Sequence, residues 1–365
     1  MTRSEVLHAS RARVLKLAQV ALVALVAVAV MSCGDTSERS GPTDLPKIGA
    51  VSDQTSLSGI SSGAYMAGQV QIAHSARIVG AAIIAGGPYA CAESPFGLMP
   101  GTGLMMNSMR AINTCMKGLT GKPDAGPLAD RARRLADRGE IDPVANLARH
   151  RLYVFSGTRD EIVVPAVVAA VPDLYNELGL PVGQMKRVTT MAAGHAFVTE
   201  KDGLSCSATG KPYIVGCGYD QAGDLLAHIY GPLAPPSTAN AGRLAVFDQS
   251  PFTRDLPFNA GMALSGAVYV PDDCRVRPGC RVHVAFHGCG QSRLAVGDAF
   301  IRTTGFLRWA DTNRIVVLFP QAAPSATNPQ GCWDWWGYTG LRFMTRDAPQ
   351  VRAVVRMLDR LSERP

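Results

Sequence analysis

Residues 59–63 read GISSG, and residues 64–75 continue as AYMAGQVQIAHS. The first five match G-x-S-x-G, a turn so tight that only small residues can flank the serine, and the apolar spacing after it predicts a helix. A serine between a strand and a helix is lifted above the sheet edge, and the next backbone N–H points at the reacting oxygen. The motif therefore predicts a nucleophile at Ser61 and an oxyanion donor at the Ser62 amide, with a Gly/Ser surface loop as the alternative.

Candidates for the base and the acid that a nucleophilic serine needs come later in the chain. In α/β hydrolases the order is Ser, then Asp or Glu, then His, each on a loop after a strand. Asp160 follows the predicted strand 151–155, and His195 follows the predicted strand 186–191. We therefore predict Asp160 as the orienting acid and His195 as the base. The alternatives are the acids Glu161, Asp173 and Asp202, whereas His228 lies in an apolar stretch typical of a packed residue.

Strands and helices alternate along the chain, which is the pattern of an α/β fold. Apolar runs predict further strands at 78–85, 264–270, 281–286 and 314–319. Helical spacing predicts helices at 64–75, 107–117, 127–138, 164–178, 297–312 and 347–362. We expect a single catalytic domain over 47–365, with a mainly parallel sheet and helices on both faces.

A second oxyanion donor is expected from a His-Gly loop that follows a strand. Residues 282–290 read VHVAFHGCG and supply such a strand and loop, but they follow Ser61 instead of preceding it. Moving the C-terminal third of the chain ahead of Ile48 restores the usual order, so we predict a circularly permuted α/β hydrolase. The alternative is a second, unrelated domain with its own buried His-Gly turn.

The N-terminal residues are predicted to be a targeting segment and a tether. Four basic residues precede an apolar stretch at 17–31, which is shorter than the roughly 20 residues of a membrane span. Residues 30–33, VMSC, resemble the bacterial lipoprotein box, which would make Cys33 a lipidated membrane anchor after removal of a signal peptide, 1–32. A plain signal peptide is the alternative. Residues 33–46 are rich in Gly, Asp, Ser, Thr and Pro and predict a flexible tether. We expect an exported protein, either a periplasmic or outer-membrane lipoprotein or an extracellular one.

The net charge and the cysteine content limit the classes of partner and the cellular compartment that the sequence favours. The formal net charge of +7, without a basic run, is too small to indicate nucleic-acid binding. Nine cysteines less Cys33 leave an even number, which suggests four disulfides in an exported chain. Short-loop closure favours three pairs and leaves a fourth, although about 105 pairings are open. These pairs are Cys91–Cys115, Cys206–Cys217, Cys274–Cys280 and, by elimination, Cys289–Cys332. A zinc site is the competing interpretation, and the chain has no CxxC spacing to favour it.

Residues 331–338 read GCWDWWGY and contain three of the four tryptophans. Clustered tryptophans can be core residues, a carbohydrate platform or the wall of an ester-binding site. The flanking glycines and the preceding Pro/Gln/Asn loop favour an exposed rim. A Cys289–Cys332 bridge would tie this cluster to the His-Gly loop.

Taken together, these motifs resemble the short-chain-length polyhydroxyalkanoate depolymerases, in the permuted single-domain group whose catalytic serine lies near the N-terminus. The resemblance runs from about Leu57 to Tyr338. Five motifs carry it in the family's order: GISSGAYM at 59–66, SGTRD at 156–160, GHAF at 194–197, HGC at 287–289 and CWDWW at 332–336. It implies a triad of Ser61, Asp160 and His195. It also implies an oxyanion hole from the amides of Ser62 and Cys289, and a substrate groove with Trp333, Trp335 and Trp336.

The family reaction is hydrolysis of poly(3-hydroxybutyrate) esters through an acyl-enzyme, and it implies no metal or cofactor. Many extracellular members add a fibronectin-like linker and a polymer-binding domain, and we expect neither here. Amorphous polymer or soluble oligomers are therefore the expected partners. One alternative is another exported carboxylesterase, such as a feruloyl or acetylxylan esterase. An alternative from another class is a non-catalytic envelope lipoprotein that binds glycan or polymer. The sequence carries no signal for an oligomeric state.

Overall fold

An eight-stranded sheet organises the part of the chain that the computed structural model describes, residues 42–94, 102–257 and 260–365. The strands in chain order are β1 (Thr55–Ile60), β2 (Ile78–Ile84), β3 (Arg151–Phe155), β4 (Met185–Val188), β5 (Phe197–Thr199), β6 (Leu204–Ser205), β7 (Ile214–Gly216), β8 (Arg243–Asp248), β9 (Ser265–Val270), β10 (Arg281–Phe286) and β11 (Ile315–Phe319). The helices are α1 (Ser62–Ala73), α2 (Gly103–Asn113), α3 (Ala125–Asp137), α4 (Pro165–Val168), α5 (Ala170–Glu177), α6 (Gln221–Tyr230), α7 (Asp272–Val276), α8 (Arg293–Val296), α9 (Ala299–Thr303), α10 (Phe306–Asn313) and α11 (Pro349–Ser362). Short 3-10 turns lie at Val144–Arg149, Val182–Gln184 and Ser250–Phe252.

The order of strands across the large sheet is β4-β3-β2-β1-β10-β11-β9-β8. The six strands from β4 to β11 run parallel, and β9 and β8 close that edge with antiparallel pairings. A second, small sheet of β5, β7 and β6 follows His195. The predicted α/β class with a mainly parallel sheet is confirmed.

Both faces of the large sheet are covered, as the burial of nearly every residue of its central strands requires. Along β2 the side chains alternate between two cores, with Ala81 and Ile83 in one and Ala82 and Ile84 in the other. Helices α1, α3, α5 and α11 supply apolar residues to the first core, and α6, α9 and α10 supply them to the second. The prediction of helices on both faces is thus confirmed.

The chain order of the strands is that of a circular permutation. Strand β1, which leads into the GISSG turn, pairs with β2 on one side and with β10 on the other. Across the second pairing, Ser58 and the buried His283 share a hydrogen bond of 2.8 Å although 225 residues separate them. If the segment from β8 onward preceded β1, the strand that carries the His-Gly loop would come before the strand that carries the serine.

The structure differs from the sequence-based predictions in the tether and in the helix expected at 297–312. The signal peptide 1–32 and Cys33 lie outside the described residues. The tether predicted to reach residue 46 ends earlier, because the Thr43 N–H donates to Val246 (3.0 Å) and Leu45 is buried. The single helix predicted at 297–312 is broken, since Gly297 and Gly305 adopt positive φ angles of 60° and 89° that a continuous helix does not allow. Within the described ranges, no helix combines the length and apolar character needed to cross a membrane.

Candidate active site

The turn between β1 and α1 holds Ser61 in an unusual backbone conformation. Its φ of 58° and ψ of −123° lie outside the regions that non-glycine residues favour, a form of local strain that clusters at functional sites. The Ser61 N–H donates to the Ile84 carbonyl at 3.0 Å, which ties the turn to the end of β2. A Cβ on Gly59 would lie 2.0 Å from the Gly63 carbonyl oxygen, so the turn requires glycine at that position.

Asp160 and His195 form a buried pair at the ends of two other loops. The His195 Nδ1 and the Asp160 Oδ2 are 2.8 Å apart, and the two residues are 5% and 3% exposed. The other carboxylate oxygen accepts the N–H groups of Ile162 (2.9 Å) and Val163 (3.0 Å), which leaves Oδ2 for the imidazole. The carboxylate therefore orients the ring with Nδ1 as the donor and leaves Nε2 free to accept a proton.

The alternative acids lie elsewhere. Asp173 forms an ion pair with Lys122 at 2.6 Å, and Glu161 and Asp202 are exposed. His228 is half-buried and contacts the carbonyl oxygens of Leu152 and Gln184 at 3.1 Å each, which is a structural arrangement.

The His-Gly loop after β10 packs directly against the Ser61 turn. A Cβ on Gly63 would lie 2.4 Å from the carbonyl oxygens of both Phe286 and His287. A Cβ on Gly288 would lie 3.4 Å from the Ser61 Cβ. This close approach brings the Ser62 and Cys289 amides, the two predicted oxyanion donors, to one cleft that Ser61 also lines.

Hydrogen bonds to both ends of Gly288 hold the peptide that carries the Cys289 amide. The Gly288 N–H donates to Gln291 Oε1 (2.7 Å), and the Gly288 carbonyl contacts His287 Nδ1 (2.7 Å). Because the Ala322 N–H donates to His287 Nε2 (3.1 Å), the imidazole proton is on Nδ1. Burial lowers the pKa of His287 to about 4, so the ring stays neutral and keeps this arrangement. Sequence reasoning missed Gln291, whose only signal was its place three residues after Gly288.

The four predicted disulfides are confirmed. The bonded pairs are Cys91–Cys115, Cys206–Cys217, Cys274–Cys280 and Cys289–Cys332. Disulfides of this number are typical of proteins from oxidising compartments. The last pair joins the His-Gly loop to the tryptophan segment. The next residue, Trp333, donates its N–H to Ser62 Oγ at 3.3 Å, so one dipeptide contacts both predicted oxyanion residues.

A cleft of about 550 Å³ opens over the serine. Ser61, His195 and Cys289 line it, and much of the remaining wall is apolar or aromatic. The apolar and aromatic lining residues are Tyr65, Ala111, Ile112, Met116, Ile162, Val163, Tyr213, Pro329, Trp335 and Trp336. In this wall, the rings of Tyr65 and Trp335 stack with their centroids 4.0 Å apart.

The three clustered tryptophans do not share one environment. Trp335 and Trp336 line the cleft, in the position expected for substrate contact. Trp333 does not: it is fully buried and packs edge-on against Phe286, with ring centroids 5.1 Å apart. Its ring also lies 5.4 Å from the His287 ring, and Trp333 is not among the residues that line the cleft. The prediction that Trp333 belongs to the groove is therefore corrected.

Across the three described ranges, no group of three or more His, Cys, Asp or Glu side chains is arranged to hold a metal ion.

Comparisons with known proteins agree with the motifs. No family model matches the chain. It is 39% identical over 344 residues to a poly(3-hydroxybutyrate) depolymerase of Delftia acidovorans, covering 93% of this chain and 65% of that protein. It is 35% identical over 337 residues to a polyhydroxybutyrate depolymerase of Talaromyces funiculosus, covering 86% of this chain and 91% of that protein.

Two solved structures share the fold. One is a PHB depolymerase from Penicillium funiculosum (TM-score 0.77, 34% identity), and the other is a PHB depolymerase complexed with an R3HB trimer (TM-score 0.77, 33% identity). Each match covers 88% of this chain and 99% of the other. The resemblance predicted from the five sequence motifs is thus confirmed. With the same fold, and with 35% identity over nearly the whole Talaromyces protein, this chain belongs to the polyhydroxybutyrate depolymerase family.

Proposed function

We infer that this protein is a serine esterase that hydrolyses the ester bonds of poly(3-hydroxybutyrate) or its oligomers. One observation carries the proposal: Ser61 and His195 line the same largely apolar cleft, and His195 is hydrogen-bonded to the buried Asp160. A hydrophobic cleft suits an aliphatic polyester, and a nucleophile with an oriented base suits acyl transfer.

In the proposed mechanism, the Ser61 Oγ attacks the ester carbonyl while His195 Nε2 accepts the Ser61 hydroxyl proton. The amides of Ser62 and Cys289 stabilise the oxyanion that forms. His195 then protonates the leaving alcohol, and water, activated by the same imidazole, releases the acyl group from Ser61. Asp160 holds the ring in the required tautomer and stabilises its charged form.

The substrate class rests on the cleft and on the relatives. A related structure contains an R3HB trimer, and we propose a similar short ester chain as the occupant of this cleft. Amorphous polymer and soluble oligomers are the proposed substrates. A different exported esterase, acting on feruloyl or acetylxylan esters, would use the same Ser61 chemistry, so substrate assays must separate the two.

The test is turbidity clearing of an amorphous poly(3-hydroxybutyrate) suspension, with Ser61→Ala beside the wild type. We expect clearing by the wild type and a rate lower by several orders of magnitude in the variant. Ser108→Ala is a matched control, since Ser108 lines the same cleft but donates its hydroxyl to Leu104. Cleavage of short p-nitrophenyl esters without clearing would move the substrate to another ester. Absence of both, with no labelling by a fluorophosphonate probe, would favour a non-catalytic binding protein.

We also propose that the chain is exported, with 1–32 as signal peptide and Cys33 as the lipidated residue. Mass spectrometry of the mature N-terminus tests this. A diacylglycerol-modified Cys33 that disappears in Cys33→Ser would support the anchor, whereas an unmodified N-terminus would indicate secretion without one.

A further inference from the structure

Asp334 is a buried carboxylate in the middle of the tryptophan segment. It is 1% exposed, and its side-chain oxygens accept hydrogen bonds from residues of its own loop. Its Oδ1 accepts the N–H groups of Trp336 (3.2 Å), Gly337 (2.6 Å) and Tyr338 (3.1 Å). Its Oδ2 accepts the N–H (2.9 Å) and the hydroxyl (2.6 Å) of Thr339. Five donors from four consecutive residues therefore surround one carboxylate.

The backbone of Asp334 is itself attached to two helices. Its N–H donates to Gln350 Oε1 (2.8 Å) on α11, and its carbonyl accepts from Gln69 Nε2 (2.9 Å) on α1. Helix α1 begins directly after Ser61, so the carboxylate has a defined position relative to the nucleophile. Burial raises the pKa of Asp334, and the donors of Thr339, Gly337 and Tyr338 oppose that rise.

The residues that fold around the carboxylate continue into the cleft wall. We define the aromatic wall as Tyr65, Trp335 and Trp336, which all line the cleft. Trp335 stacks on Tyr65 with an interplanar angle of 8°, and Trp336 packs edge-on against Trp335 at 5.7 Å. Tyr65 has its own attachment, a hydroxyl that donates to the Cys115 carbonyl at 2.5 Å. Trp335 lies between Asp334 and the residues bonded to it, and Trp336 is the first of those residues, so the carboxylate holds the backbone that carries both rings.

We propose that Asp334 is a positioning residue that sets the aromatic wall for the part of the ester chain beyond the scissile bond. The choice of substrate in this inference rests on the proposed esterase function. The positioning of the aromatic wall by Asp334 does not. Contacts to remote parts of a substrate affect a long substrate more than a short one. Loss of the wall should therefore affect an oligoester more than a small ester that is in contact only with the residues around Ser61.

The test is Asp334→Asn, which keeps the size of the side chain. Its NH2 group must face either the three donors on one side or Thr339 on the other, so at least one backbone N–H loses its acceptor. We expect kcat/KM for a 3-hydroxybutyrate trimer to fall tenfold or more, mainly through KM. The fall for p-nitrophenyl acetate should be at most about threefold. The near-UV circular dichroism of the stacked Tyr65–Trp335 pair should also weaken.

Two further variants keep the proposal falsifiable. Asp347→Asn is the matched control, because Asp347 is exposed and pairs only at the surface with Arg342; it should match the wild type in all three measurements. Thr339→Val removes one of the five donors and should show a weaker effect of the same kind, which covers the case in which Asp334→Asn does not fold.

Equal losses for both substrates would overturn the proposal, since they would mean a general structural role. Unchanged kinetics and an unchanged near-UV spectrum would overturn it as well. If the wild type cleaves p-nitrophenyl acetate but not the trimer, the proposed substrate fails. The near-UV spectrum of the variants then decides the role of Asp334 separately.

Discussion

Replacing Gly63 with alanine should damage catalysis through the His-Gly loop without touching a predicted catalytic side chain. Gly63 lies in the first turn of α1, where its Cα faces the end of β10. The new methyl group would lie 2.4 Å from the carbonyl oxygens of Phe286 and His287. Both atoms are backbone, so no flexible side chain can move aside to accommodate the methyl group.

The size of the effect follows from that distance. Contacts of a Cβ below 3.0 Å are essentially never observed, so the loop must retreat by about 0.6 Å or more. The loop carries the Cys289 amide, and loss of one oxyanion donor costs about 10²–10³ in kcat. A misplacement approaching 1 Å can cost about a hundredfold. We therefore expect kcat of Gly63→Ala to fall by about tenfold to a hundredfold.

The assay is steady-state hydrolysis of p-nitrophenyl butyrate, together with urea unfolding to measure stability. Gly68→Ala is the matched control on the same helix. Its methyl group would meet only ordinary contacts, the nearest being Ile83 Cδ1 at 3.7 Å. Alanine favours a helix over glycine by about 1 kcal/mol, so this variant should be at least as stable as the wild type and equally active.

Wild-type kcat in Gly63→Ala would refute the reasoning, because the loop would then tolerate displacement or lie outside the oxyanion hole. An equal loss in Gly68→Ala would also refute it, since the effect would come from the helix and not from the loop. A change in KM or in stability without a fall in kcat would count against the oxyanion assignment.

Three other predictions concern the same loop and the buried histidines. Replacing Cys289 and Cys332 together with serine should lower the free energy of unfolding by about 4 kcal/mol in urea, as expected for a loop of 43 residues, and a loss below 1 kcal/mol would contradict it. His287→Ala should lower kcat about tenfold, while His287→Asn, whose amide can still donate to Gly288, should recover most of it; equal activity of the two variants would argue against the hydrogen bond. Burial lowers the pKa of His150 to about 4 and of His283 to about 3 from 6.5, so the unfolded state binds more protons below pH 6.5. Stability should therefore be complete above pH 6.5 and fall toward pH 4 by roughly 3 kcal/mol per histidine, and a flat unfolding free energy across that range would contradict the burial argument.

Much of the fold could be predicted because its central strands are short apolar runs. The strand predicted at 78–85 is Ile78–Ile84 in the structure, and the one predicted at 281–286 is Arg281–Phe286. A strand covered on both faces is usually a near-continuous apolar run, so its sequence is distinctive without a partner in view. The edge strand β8 was not predicted, since it is half-exposed and its apolar run, residues 244–247, is short and flanked by charged residues.

The site was predictable to the level of residue type and chain order. Asp160 and His195 were chosen because each follows a strand, and the structure brings them within 2.8 Å. Three disulfide pairs followed from short loops, which close with little loss of chain entropy, and Cys289–Cys332 followed by elimination. The prediction that Trp333 lines the groove was wrong, because nothing in the neighbouring sequence distinguishes Trp333 from Trp335.

By itself, the sequence determined which groups are available and in what order they occur. It specified a serine in a turn that only small residues permit, an acid and a histidine at strand ends, and a permuted sheet. The tertiary structure alone decided which groups meet: the His-Gly loop against Gly63, the Trp333 amide against Ser62, and the Gln69 side chain against the Asp334 carbonyl. A turn can be predicted from the sequence because it depends on the conformational freedom of residues that are neighbours in the chain. These contacts instead join segments far apart in the chain, and only the packing of β1 against β10 brings them together.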